Sequence, residues 1–112
     1  MTSNTLLLIA ALAGASPSPP ESCRAIDPTQ AQRETQFSNV NAVGPFAMRS
    51  QAGSTSCDFR QQREGGCTLR APGLIHVTLN GRHTWYQVEP GRDARIDVSN
   101  GVATCRVLGR AA

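Results

Sequence analysis

Leu74-Ile75-His76-Val77-Thr78-Leu79-Asn80-Gly81-Arg82-His83-Thr84-Trp85-Tyr86-Gln87-Val88 is written as a β-hairpin. The runs on either side of Asn80-Gly81 alternate and are rich in β-branched and aromatic residues, which suit a pleated, half-buried surface. Asn-Gly between such runs is a strong hairpin signal, because a type I′ turn needs positive φ at both central positions. A two-residue loop sets the register. Ile75 falls opposite Tyr86, Val77 opposite Thr84 and Leu79 opposite Arg82. With Val88 these make the apolar face. The other face sets His76 opposite Trp85 and Thr78 opposite His83.

The same pattern recurs around Asn100-Gly101. Ala94-Arg95-Ile96-Asp97-Val98 precedes it and Val102-Ala103-Thr104-Cys105-Arg106-Val107-Leu108 follows. Here Ile96 falls opposite Cys105 and Val98 opposite Ala103, with Val107 on the same inward face. Arg95, Asp97, Thr104 and Arg106 point to water. Pro90-Gly91 separates the two hairpins, so the expectation is a four-stranded antiparallel meander. Upstream, Asn39–Val43 and Phe46–Arg49 read as short strands broken at Gly44-Pro45. Gly53-Ser54-Thr55-Ser56 reads as a turn into Cys57-Asp58-Phe59-Arg60. Asp27-Pro28-Thr29-Gln30 is a helix-start signal, with Asp27 as cap and Pro28 at the first helical position. It predicts one short helix through about Gln36. The fold class is all-β: a small antiparallel β-sandwich or half-barrel with two Asn-Gly hairpins and six or seven strands.

The chain has 112 residues, 39% hydrophobic and 17% charged, which suits one folded domain and excludes a disordered or multi-span chain. Residues 1–15, MTSNTLLLIAALAGA, read as a cleaved signal peptide. Leu6–Ala13 is an uncharged apolar run, and Ala13-Gly14-Ala15 is a small-x-small cleavage pattern. A spanning helix needs about 20 apolar residues, so no membrane anchor is expected in the mature chain. Residues 16–22 read as a flexible proline-rich lead-in, and 23–112 as a disulfide-stapled β domain. The expected location is periplasmic or extracellular.

Four cysteines, Cys23, Cys57, Cys67 and Cys105, remain in the mature part. Their spacing holds no C-x-x-C pair for zinc, so disulfides are expected and a metal is not. The favoured pairing is Cys57–Cys67 with Cys23–Cys105. The first closes a short hairpin and the second ties the N-terminal segment to the last strand. The rival, Cys23–Cys57 with Cys67–Cys105, staples two sheets in the immunoglobulin manner. An immunoglobulin domain fits poorly: Trp85 comes late, and Ala103 stands where a tyrosine belongs.

The candidate ligand-binding residues are Trp85, His76 and His83. If their face is open, a flat indole flanked by two imidazoles and Gln87 makes a stacking and hydrogen-bonding platform. If it is not, Trp85 packs in a second core layer or under the N-terminal segment. No carboxylate falls nearby to complete a metal site. No nucleophile elbow, metalloprotease helix or phosphate loop is present, so no catalytic residues and no cofactor are expected. The basic side is 11 arginines, scattered among acids, with net charge +3. That is too diffuse for nucleic acid. The expectation is a non-enzymatic exported domain, structural or partner-binding. Its partner is an unknown protein or a cell-envelope glycan. The alternatives are an inhibitor of a secreted hydrolase, acting through Gln61-Gln62-Arg63-Glu64, or a carbohydrate-binding module using Trp85.

Overall fold

The computed structural model describes residues 21–31 and 36–110. In chain order the elements are β1 (Glu21–Ser22), β2 (Arg24–Ala25), the helical turn α1 (Pro28–Ala31), β3 (Asn39–Val43), β4 (Phe46–Ser50), β5 (Ser54–Arg60), β6 (Glu64–Arg70), β7 (Leu74–Leu79), β8 (Arg82–Gln87), β9 (Arg92–Ser99) and β10 (Val102–Arg110). They build two five-stranded antiparallel sheets that pack on each other as a sandwich. Sheet I has the order β1-β10-β9-β6-β5, and sheet II the order β2-β8-β7-β4-β3.

Both Asn-Gly hairpins form in the register that their turns dictate. Ile75 pairs with Tyr86, and Ile96 with Cys105. Asn80 and Gly81 have φ of 52° and 81°, and Asn100 and Gly101 have 54° and 74°. These are the positive values a type I′ turn requires.

The meander expected from residues 74–108 does not form. Strands β7 and β8 lie in sheet II, while β9 and β10 lie in sheet I. Between them Arg92 N–H donates to the Glu89 carbonyl at 3.1 Å across Pro90-Gly91, and the chain changes sheets. The physical reason is burial. Each hairpin has one apolar face, and placing the two face to face removes both from water, whereas a flat meander leaves its apolar face uncovered.

Every hairpin follows this rule. β3–β4 and β7–β8 build sheet II, while β5–β6 and β9–β10 build sheet I. The inward residues Phe46, Met48, Ile75 and Val77 of sheet II meet Leu69, Ala94, Ile96 and Val98 of sheet I, each 3% exposed or less. Full burial of such side chains contributes about 1.5–3 kcal/mol apiece. Phe46 and Phe59 close the core across the sheets, with ring centroids 5.2 Å apart.

The strand count also exceeds the six or seven expected, because the sequence hides three strands and the start of a fourth. Ser54–Ser56, read as a turn, is the start of β5. Glu64-Gly65-Gly66 is too glycine-rich to read as a strand, yet it opens β6. Glu21–Ser22 ends the supposed lead-in early by pairing with β10 as β1, and Arg24–Ala25 pairs with β8 as β2. The chain therefore crosses between sheets at Cys23. Cys23 N–H donates to the Cys105 carbonyl at 3.0 Å, and a disulfide joins the same two residues. The second disulfide is Cys57–Cys67, whose residues face each other across β5 and β6.

Asp27 caps the helical turn as its sequence predicts. Its Oδ1 accepts from Thr29 N–H at 2.9 Å, which holds the carboxyl below its usual range. Residues 32–35 of the predicted helix lie outside the described residues, and Gln36 is not helical. The signal-peptide reading of residues 1–15 also lies outside them.

The four hairpin turns gather at one end of the sandwich. Asn80 N–H donates to the Pro45 carbonyl at 3.2 Å, and Gly44 abuts the Gln62 backbone. The links between hairpins gather at the other end. There Gln51 N–H donates to the Leu74 carbonyl at 2.9 Å, and Val88 N–H to that of Gly73 at 2.8 Å.

Candidate functional site

The outer face of sheet II carries the candidate residues in two cross-strand rows. Arg49 of β4, His76 of β7 and Trp85 of β8 form one, through the pairings Arg49↔His76 and His76↔Trp85. Ala47, Thr78 and His83 form the next. These outward positions follow from strand alternation once β4 is placed beside β7.

The structure brings His76, His83 and Trp85 together. The imidazole of His76 stacks on the Trp85 indole, with centroids 4.0 Å apart and planes 14° apart. His83 stacks on the other side of His76, with centroids at 5.1 Å. Pro28, Arg49, His76, His83 and Trp85 line a shallow depression here.

Trp85 is not the open platform. It is only 7% exposed. The segment after β2 lies over it: Ile26 N–H donates to the Trp85 carbonyl at 3.0 Å, and the Phe37 ring sits 6.0 Å from the indole. Ile26, Phe37, Leu74 and Trp85 make a second small apolar cluster outside sheet II. An indole carries too much apolar surface to leave in water when a chain segment is at hand to cover it.

Arg49 is the residue that sequence reasoning missed. Its Nη2 and Nε donate to His76 Nδ1 at 2.7 and 3.2 Å, and its guanidinium carbon lies 4.5 Å from the Phe37 ring centroid. The alternation Phe46-Ala47-Met48-Arg49 signals that Arg49 points outward. Nothing local signals that β4 would lie beside β7.

These contacts fix the protons. A guanidinium has donors only, so His76 Nδ1 must accept. Burial first, then the charges of Arg49 and His83, push the His76 pKa down to about 4. At neutral pH its single proton therefore sits on Nε2, which donates to His83 Nδ1 at 2.9 Å. Thr78 Oγ1 lies 3.2 Å from the same His83 nitrogen. A neutral His83 must then carry its proton on Nε2.

No protein family, curated protein or solved structure matches the chain.

The outer face of sheet I shows the contrast. Arg95 donates from Nη1 and Nη2 to both oxygens of Asp58, each at 3.0 Å, and from Nε to Asp97 at 2.9 Å. Arg106 reaches the other Asp97 oxygen at 3.1 Å. The Arg95 bonds hold the Asp58 carboxyl below its usual range. Burial pushes Asp97 up, but its bonds to Arg95 and Arg106 outweigh that and lower it. On sheet I, then, these arginines meet acids. On sheet II, Arg49 meets a neutral imidazole. Among the described residues no cluster of three or more histidines, cysteines or acids could hold a metal ion.

Proposed function

We propose that this chain is a non-enzymatic exported domain that binds a partner through the outer face of sheet II. One observation carries the proposal: Arg49 is hydrogen-bonded to a neutral His76 inside a surface depression. A partly buried cation with a weak partner is costly to keep unless something else meets it. Two disulfides in a domain of this size support an oxidising compartment, and the apolar run in residues 6–13 supports export.

The test has two parts. The first is a precursor fused to a reporter active only outside the cytosol; activity is expected, and a cytosolic reporter overturns the export reading. The second is a photo-crosslinker at position 83 or at position 104, on the outer face of sheet I. A specific adduct is expected from 83 only. Equal adducts, or none, overturn the binding face.

A second reading is inhibition of a secreted hydrolase through the β5–β6 turn. Gln61 and Gln62 are held at φ of 54° and 58°, unusual values for residues other than glycine, and Cys57–Cys67 braces the strands behind them. Such rigidity suits a loop that is presented to a partner. Arg63→Ala with no effect on inhibition across a panel of proteases and lysozymes rules this out.

A further inference from the structure

Arg95 and Arg49 use the same guanidinium chemistry on opposite faces of the sandwich. Arg95 shows the filled state. Its Nε side meets Asp97, and its end-on fork, Nη1 with Nη2, grips both oxygens of Asp58. Arg49 shows half of that arrangement. Its Nε and Nη2 converge on His76 Nδ1. Its Nη1 has no hydrogen-bond partner among the described residues, so the end-on fork is open there. The Phe37 ring lies against the guanidinium, its centroid 4.5 Å from the guanidinium carbon.

The groups around this fork are donors. His76 has both nitrogens engaged, one by Arg49 and one by His83. That chain of bonds leaves His83 with its proton on Nε2, the ring nitrogen not facing His76. His83 is exposed, and among the described residues no acid lines the depression. A concavity that offers N–H groups and positive charge without an acceptor selects an anion. A guanidinium fork matches the two oxygens of a carboxylate with two parallel bonds, and Arg95 makes both of them to Asp58 at 3.0 Å.

From this we infer that the depression formed by Arg49 and His83 is a carboxylate-binding site, and that the carboxylate belongs to an acidic side chain or C-terminus of a partner protein. This rests on the outer face of sheet II being the binding face. A protein source is favoured over an acidic sugar because Trp85, the largest ring carried by the strands of this face, is covered by Phe37 and His76 and cannot receive a sugar ring.

The test is an NMR titration of the mature protein, following the Arg49 Nε–H and the His83 ring signals. The titrants are acetate, a short glutamate-containing peptide, glucuronate, inorganic phosphate and neutral acetamide. The expected result is saturable shifts with acetate and with the peptide, roughly in the millimolar range that a single exposed ion pair supports. The peptide should bind at least as tightly as acetate, and acetamide should do nothing. Arg49→Lys keeps the charge but removes the fork, and should weaken peptide binding at least fivefold. His83→Ala changes an exposed residue and keeps the proposal testable if the Arg49 variant folds poorly; it should weaken binding at least twofold.

Phosphate or acetamide binding as well as acetate overturns the carboxylate assignment and leaves the binding face standing. Glucuronate binding more tightly than the peptide overturns the protein source alone. Glu34 lies in the stretch outside the described residues, so Glu34→Gln is the remaining arm. If that change makes acetate bind at least fivefold tighter, the chain fills its own site, and the proposal is overturned. No shift with any titrant, in wild type or in Glu34→Gln, overturns both the site and the face.

Discussion

His76 Nε2 and His83 Nδ1 lie 2.9 Å apart, and the hydrogen bond between them has only one possible direction at neutral pH. Arg49 can only donate to His76 Nδ1, so the neutral His76 ring must donate onward from Nε2. A single arginine thereby orients two imidazoles in sequence, across three strands.

The first prediction reads those protons directly. Nitrogen-15 correlation spectra at neutral pH should show His76 as the Nε2–H tautomer. Arg49→Gln should release His76 into a mixture, because a carboxamide can present either a donor or an acceptor. A wild-type spectrum with His76 in the Nδ1–H form contradicts this direction of donation.

Stability should depend on pH through His76. Its folded pKa, about 4, lies below the ordinary value of 6.5. Between those two values the unfolded chain binds a proton that the folded one refuses. The contribution is therefore fully present above pH 6.5 and is lost as pH falls toward 4. Its size is on the order of 3 kcal/mol. Urea unfolding at about pH 7.5, 5.5 and 4.5, which brackets that window, measures it, and His76→Leu should flatten the profile there. Asp58 and Asp97, whose carboxyls are lowered, act in a separate window: their stabilisation is present above the usual carboxyl range and fades below it.

Trp85 should fluoresce as a buried indole, with blue-shifted emission and weak quenching by iodide, since it is only 7% exposed. Phe37→Ala uncovers one side of it. A red shift and several-fold stronger quenching are expected, with a stability loss of about 1–2 kcal/mol. Equal quenching in wild type and variant means that Phe37 does not cover the ring.

The two disulfides should differ in worth. On loop-closure entropy, Cys57–Cys67 with separation 10 contributes about 2.5–3 kcal/mol, and Cys23–Cys105 with separation 82 about 4.5 kcal/mol. Paired Cys→Ala variants compared by denaturant unfolding give the order. Intact mass before and after reduction counts the bridges and locates the start of the mature chain.

Gly66→Ala should break the ion ladder of sheet I. A Cβ there would lie 3.0 Å from Arg95 Nη2 and would clash with the Ile96 carbonyl oxygen. The backbone clash has no flexible partner that can yield, so a loss of about 1–3 kcal/mol is expected. Thermal unfolding at low and high salt separates the steric part from the loss of the Arg95–Asp58 pair.

Turn closure is local, and what is local was legible. Asn80-Gly81 and Asn100-Gly101 determined two hairpins and every cross-strand partner within them, because a two-residue turn leaves one register. The facing of His76 with Trp85, and the inward aim of Cys105, followed from that register and from strand alternation. The partner of Cys105 did not follow from that register; the pairing of Glu21–Ser22 with the last strand brings Cys23 to it.

What lies beside a hairpin is set by the path of the rest of the chain, and only the tertiary structure decided it. Burial of two apolar faces split the expected meander between two sheets. That split left β7 with a free edge, which β4 fills, and so put Arg49 against His76. It also left the outer face of sheet II uncovered until the segment carrying Ile26 and Phe37 closed over Trp85. The histidine pair was therefore written in the sequence as neighbours. Its cation, its cover and its proton order came from packing between segments far apart in the chain.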